Sequence, residues 1–300
     1  MHLGPASASG ETAVHYGRLS APRRRGIRLW NLQNGSNGMG TIEAAPIVWE
    51  GERQVGSAVV REFTIEQAAR PITGVLWSGP DTKPGAPLVC YGHGASGDRH
   101  QRPIPRVAGE LAADHGFFGL SLDGPVHGRR QVGPGGRESF WPEWGREGTV
   151  EDMVRDWRIA LETISNQPDV GRGPVGYWGL SMGTIYGAPF VAAEPRIKGA
   201  VLGLMGLVSK PEHYAPTIAA AAKAIACPVF FLWQLEDELF TRAECLALFD
   251  AFASEDKQLH ANPGLHPNVP LEELDRGVAF MASVLEGRRG PREVMAGMSE

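Results

Sequence analysis

Val175-Gly-Tyr-Trp-Gly179-Leu-Ser181-Met-Gly183-Thr184 decides the fold: a short apolar run breaks into Gly-x-Ser-x-Gly and continues as Ile185, Tyr186, Ala188, Phe190 and Val191. The segment reads as a strand, a sharp turn and a helix. A serine on such a turn holds strained backbone angles. Its neighbours two positions away must be glycine, because strand and helix pass too close for a β-carbon. Gly179 and Gly183 meet that need. With 39 glycines in 300 residues the pattern alone is weak, so its surroundings must carry the argument. Ser121, in Gly119-Leu-Ser-Leu-Asp123, lacks the second glycine and reads as an ordinary strand serine.

Upstream, Ile47-Val-Trp49 marks the onset of order, and Ala58–Ile65 and Ile72–Trp77 read as two early strands separated from the next by the turn-rich 78–85 segment. Pro87–Tyr91 is a continuous apolar strand that stops at Gly92-His93-Gly94-Ala95. A helical pattern then runs from about Arg102 to His115. Phe117–Leu122 is another strand, ending in Asp123-Gly-Pro-Val-His127-Gly128. Residues 128–147, with Phe140, Trp141 and Trp144, read as a long loop placed to shape a substrate pocket, or pinned to the body by those aromatics. Thr149 and Asp152 resemble a capping box for a helix bearing Val150, Met153, Val154, Trp157, Leu161 and Ile164.

Downstream, Ile197–Leu204 and Pro228–Trp233 read as strands, and the interval between them has room for one helix and no large lid. Thr241 and Glu244 form a second capping box before a helix with Cys245, Leu246, Leu248, Phe249 and Phe252 on its apolar face. Lys257–Asn262 is a last strand, followed by Pro263-Gly-Leu-His266 and a helix carrying Leu271, Leu274, Val278, Met281 and Leu285. Strands alternating with helices predict an α/β class domain over residues 46–290: a mostly parallel central sheet with helices on both faces and a minimal lid. Residues 1–45 are rich in Gly, Ser, Asn and Arg and read as a loop-rich extension, and 291–300 as a C-terminal tail.

Bulk properties narrow the function. The net charge of −5 and the absence of a long basic stripe give no reason to invoke nucleic acid; Arg23-Arg24-Arg25 reads as a solvated arm. Cys90, Cys227 and Cys245 are odd in number and widely spaced, as free thiols in a reducing compartment would be. Metal-ligand spacing is absent. Neither a membrane span nor a signal peptide is encoded, which makes the cytoplasm the default.

A serine hydroxyl is a poor nucleophile at neutral pH; it needs an imidazole to take its proton and a carboxylate to fix the imidazole tautomer. The order serine, acid, histidine places the acid after the Pro228–Trp233 strand and the histidine after the last strand. Asp237 and His266 occupy those places. Glu236 and Glu238 flank Asp237 and stay open as alternatives, and His260 competes with His266 from inside a strand. The oxyanion donors are expected from the N–H of Met182, next to the nucleophile, and of Ala95 in the Gly92–Ala95 turn. His93 fits an imidazole bracing that turn, and Asp123 and His127 fit loop stabilisers.

Taken together, His93-Gly94, Asp123 to His127-Gly128, Gly179-Leu-Ser-Met-Gly183, Asp237 and Pro263-Gly-Leu-His266 resemble the α/β-hydrolase superfamily over about residues 55 to 287. Within it the chain is most similar to small bacterial carboxylesterases of the dienelactone-hydrolase-like and prolyl-oligopeptidase-like group. The resemblance implies ester hydrolysis through an acyl-enzyme, with no cofactor. Ser181 stands where dienelactone hydrolases proper carry cysteine, and no propeller accompanies the domain, which points away from both of those activities. The acid loop, Gln234-Leu-Glu-Asp237, lacks the glycine common just before the acid. The expected substrate is a small or medium acyl ester, with Trp141 and Trp144 as candidate substrate-binding, aromatic-tolerant walls. A C–C bond hydrolase or lyase on the same fold is the alternative, followed by a non-catalytic binding protein. Exposed edge strands in this fold leave a homodimer open.

Overall fold

In the computed structural model, which describes residues 42–67 and 70–290, the apolar runs of the sequence become one nine-stranded sheet. Its strands are β1 (Ile47–Val55), β2 (Ala58–Ile65), β3 (Ile72–Ser78), β4 (Leu88–Gly92), β5 (Phe118–Leu122), β6 (Val175–Gly179), β7 (Ile197–Gly203), β8 (Val229–Gln234) and β9 (Lys257–Asn262). Their order is β1-β2-β3-β5-β4-β6-β7-β8-β9. The pairings of β1 with β2, β2 with β3 and β3 with β5 are antiparallel; every pairing from β5 across to β9 is parallel. This is the α/β-hydrolase arrangement that the resemblance implies. The expected 1–45 extension lies outside the described residues up to residue 41, as do the Arg23–Arg25 cluster and the 291–300 tail.

The helices are α1 (Ile104–His115), α2 (Gly136–Trp144), α3 (Thr149–Ser165), α4 (Met182–Ala193), α5 (Ala215–Ala224), α6 (Arg242–Ala251) and α7 (Leu271–Leu285). α1 and α7 pack together on one face of the sheet, and α3, α4, α5 and α6 succeed one another on the other. Buried on both faces, β6 and β8 have no exposed residue, which explains their unbroken apolar runs. On the first face Val107 and Leu111 of α1 meet Trp77, Trp178, Val278 and Met281. On the second, Trp157 stacks on Phe190, with Tyr177 edge-on to both. Between β7 and β8 the described chain holds α5 and no further helix, so the lid is minimal.

Two sequence expectations need correction. Residues 128–147 are not all loop: α2 lies within them, entered through Gly135 and Gly136 at φ of 84° and 55°. Glycines at its start and Pro142 inside it hide a helix that tertiary contacts hold: Phe140 meets Tyr186 edge-on, and Trp144 meets Tyr214 edge-on. Thr149 is also no N-cap. Gly148 precedes α3, and the Thr149 hydroxyl instead donates to Glu143 Oε1 at 2.7 Å, tying α3 to α2. At α7, Leu271 is 64% exposed, although its partners at helical spacing are buried.

The second capping box forms as its sequence predicts: Thr241 Oγ1 accepts from the Glu244 N–H while Glu244 Oε2 accepts from the Thr241 N–H. Thr241→Ala is expected to lower folding stability by about 1 kcal/mol, seen as a lower urea midpoint at unchanged m-value. An unchanged midpoint means that the box contributes nothing to the cooperative unit.

Candidate active site

Ser181 joins β6 to α4 with φ 58° and ψ −120°, a conformation a non-glycine residue holds only under constraint. The constraint is visible around it. Ser181 N–H donates to Gly203 O at 3.0 Å, and the Thr184 hydroxyl sits between Gly179 O and Gly203 O at 2.8 and 2.7 Å. A β-carbon at Gly183 would lie 2.5 Å from Gly92 O, and one at Gly179 would lie 2.7 Å from Gly183 O. Only glycine fits either place. The turn lifts Ser181 Oγ above the C-terminal ends of the parallel strands, where β4 has one neighbour on each side and the chain order reverses.

His266 and Asp237 arrive from the loops after β9 and β8. His266 Nε2 lies 2.8 Å from Ser181 Oγ, and His266 Nδ1 lies 2.8 Å from Asp237 Oδ2. With the carboxylate accepting from Nδ1–H, Nε2 is left to accept from the serine hydroxyl. Asp237 Oδ1 accepts from the N–H groups of Leu239 and Phe240 at 2.8 and 3.0 Å. Burial raises the Asp237 pKa, but the His266 bond and these two N–H groups outweigh it and hold the carboxyl below its ordinary value. Its acidic neighbours do other work: Glu236 accepts from Gly264 N–H and Glu238 from His266 N–H at 2.9 Å, so both fasten the histidine loop. His260 stays on β9, stacked 4.0 Å from Phe230 and bonded to Glu273 at 2.8 Å.

The turn after β4 carries Ala95. His93 Nδ1–H donates to Gly94 O at 2.8 Å, fixing the peptide plane whose other end is the Ala95 N–H, while His93 Nε2 accepts from Gly124 N–H at 2.8 Å. Gln101 Oε1 accepts from Gly94 N–H at 2.7 Å. His127 places Nδ1 against Pro125 O at 2.6 Å and Nε2 against Ala95 O at 3.0 Å; an imidazolium donates to both, a neutral ring to one. Asp123, fully buried, accepts from Thr73, from Arg99 and from Arg129 N–H and anchors both loops from beneath. Among the described residues, the Ala95 and Met182 N–H groups are given to no protein acceptor.

These groups open into a cavity of about 760 Å³. Trp141, 45% exposed, lines it with Phe140, Ile185, Leu204 and Phe240. Trp144 does not line it. Its ring stacks on that of Phe140 at 5.7 Å, and Phe140 is the residue of the pair that lines the cavity. Arg102, Arg106 and Arg137 also line the cavity, none of which the sequence singled out. The described residues include no group of three or more His, Cys, Asp or Glu arranged to hold a metal. Burial raises the thiol pKa of Cys90, Cys227 and Cys245, and none of them lines the cavity.

No family model and no curated protein matches the chain in sequence. Solved structures do match. A cold-adapted esterase from an Arctic intertidal metagenomic library is 34% identical, with a TM-score of 0.70, over 79% of this chain and 99% of that one. The acetyl xylan esterase from Paenibacillus sp. R4 is 18% identical, with a TM-score of 0.63, over 85% of this chain and 92% of that one. Est1E from Butyrivibrio proteoclasticus, with ferulic acid bound, is 17% identical, with a TM-score of 0.59, over 74% and 99%. The last two share the fold.

The buried His93 generates a pH dependence. Burial, reinforced by His127, pushes its pKa down to about 4, whereas an unfolded histidine titrates near 6.5. Between those values the unfolded chain binds the proton and the folded one does not. The stability attached to neutral His93 is therefore complete above about pH 6.5 and is lost as pH falls toward 4. Urea unfolding at pH 7.5 and pH 5 should show the wild type losing on the order of 2 kcal/mol more than His93→Gln over that interval. Equal losses would assign the titration to another group.

Proposed function

The chain belongs to the α/β-hydrolase esterases, and from that premise we propose that it is a serine carboxylesterase with Ser181 as nucleophile, His266 as general base and acid, and Asp237 as the residue that orients His266. The observation that carries the reading is the continuous relay Ser181 Oγ, His266 Nε2, His266 Nδ1, Asp237 Oδ2, with both links at 2.8 Å and its serine end facing the cavity. His266 takes the serine proton as Oγ attacks the ester carbonyl, and the Asp237 carboxylate stabilises the resulting imidazolium. The Ala95 and Met182 N–H groups receive the oxyanion. Collapse of the tetrahedral species expels the alcohol, protonated by His266, and leaves an acyl-serine. Water, deprotonated by the same histidine, then releases the acid and restores Ser181.

The cavity volume of about 760 Å³ suits small to medium acyl esters. Trp141 and Phe140 give the wall an aromatic face for a flat acyl or alcohol group. A cytoplasmic setting is supported by three cysteines that stand free, two of them buried. No helix among the described residues is long and apolar enough to cross a membrane.

A fluorophosphonate probe should add one mass equivalent to the wild type and none to Ser181→Ala. Hydrolysis of a short p-nitrophenyl ester series should fall by roughly 10⁴ to 10⁶ in kcat for Ser181→Ala, and by about 10² to 10⁴ for Asp237→Asn, whose amide favours the wrong histidine tautomer. A wild type that is neither labelled nor active removes the serine-esterase reading. Labelling of Ser181→Ala would move the nucleophile elsewhere.

A further inference from the structure

The charges that face the cavity are unbalanced. Arg102, Arg106 and Arg137 line it, and no Asp or Glu does, although the chain as a whole carries −5. Arg106 is matched by Asp275, to which it is hydrogen-bonded. Arg102 and Arg137 are not. Among the described arginines only these two and Arg155 lack an ion pair, a hydrogen bond or an aromatic contact, and two of those three line one cavity. They come from separate parts of the chain, Arg102 from the segment before α1 and Arg137 from the first turn of α2. The first turns of α1 and α4 add the positive ends of their helices with no acidic residue in either. A guanidinium presents a planar fork that fits a carboxylate through two parallel bonds, and its weak hydration makes such a pair easier to desolvate than a lysine pair.

We propose that the preferred ester carries a carboxylate on its acyl or alcohol half, held by Arg102 and Arg137 while the scissile carbonyl lies at Ser181. The proposal rests on the serine-esterase reading and adds the substrate's charge. Apolar surface from Trp141, Phe140, Ile185 and Leu204 accommodates the carbon skeleton between the two ends. The arginines take no part in bond making. They select among esters that the relay would otherwise treat alike.

The test compares matched pairs that differ only in the anion. Mono-4-nitrophenyl glutarate is set against 4-nitrophenyl pentanoate for the acyl half, and 4-acetoxybenzoate against phenyl acetate for the alcohol half. At low ionic strength, kcat/KM for one anionic member should exceed that of its neutral counterpart by about 5- to 20-fold, once corrected for leaving-group reactivity by the hydroxide-catalysed rates. That ratio should collapse toward one in the Arg102→Met/Arg137→Met double variant and shrink as salt is raised to about 0.3 M. Arg155→Met, an exposed and equally unpaired arginine away from the cavity, should leave the ratio in place. The pair that responds identifies the half that carries the carboxylate. A ratio near one for both pairs, or a ratio that survives in the double variant, overturns the proposal. If Ser181-dependent hydrolysis of 4-nitrophenyl pentanoate persists in that case, the serine-esterase reading stands without it. If no ester is hydrolysed and the fluorophosphonate does not label, both fall.

Discussion

The narrow passage between the end of β4 and the start of α4 is the constraint on which the rest of this structure depends. Gly183 lies so close to the Gly92 backbone that an added β-carbon would stand 2.5 Å from its carbonyl oxygen. Such a contact would force the two segments apart and move Ser181 with them. Because they touch, the loop after β4, which carries Ala95, begins beside the turn that carries Ser181 and Met182. Tyr177 locks the approach from below, donating its hydroxyl to Gly183 O at 2.6 Å. The strain at Ser181 is thus held by the sheet and by one threonine hydroxyl shared between two carbonyls.

A second tier of interactions keeps the loops from moving independently. Asp123 is fully buried and gathers bonds from β3, from Arg99 after β4 and from the segment after β5. A carboxylate so placed has no water to fall back on, so the loops that supply its partners are fixed relative to one another. His93 completes the arrangement by giving a proton to one loop and accepting one from the next. That use of both nitrogens requires the neutral ring, and burial favours the same form. The turn that carries Ala95, the proposed oxyanion donor, is therefore fixed in place before any substrate arrives, which is the condition under which N–H donors stabilise developing charge without reorganising.

The strands of this fold were legible because burial on both faces leaves continuous apolar runs, as in β6 and β8, and the nucleophile turn because two glycines cannot be replaced there. Asp237 was separable from Glu236 and Glu238 only as a preference. Three adjacent carboxylates look alike in sequence, and it is the loop geometry that sends one to the His266 side chain and the other two to backbone N–H groups. α2 escapes a reading by periodicity for a physical reason: glycines at its start and an internal proline mask its helical pattern, and Phe140 packs on Tyr186 and Trp144 on Tyr214 across chain distances that periodicity does not sample. The same blindness covers Trp144. Whether an aromatic faces a cavity or backs its wall depends on which neighbour takes its flat face. Arg102 and Arg137 were silent because the property that distinguishes them, lack of a partner, belongs to the folded chain alone.

Rate and selectivity are separate devices in this arrangement. In the proposed mechanism the relay and the two N–H groups act at the atoms where charge changes during the reaction, so their interactions strengthen in the transition state and raise kcat. A guanidinium bound to a remote carboxylate meets the same charge in the ground state and in the transition state. Its contribution is uniform binding, which lowers KM and raises kcat/KM without acting on the barrier from the bound complex. The two devices draw on different residues: the unpaired arginines line the cavity wall, whereas the relay runs through Ser181 and the His266 ring. Asp237 supplies a negative charge on the far side of that ring, 2.8 Å from Nδ1. The arginines can therefore change which ester is bound without touching the groups that pass the proton.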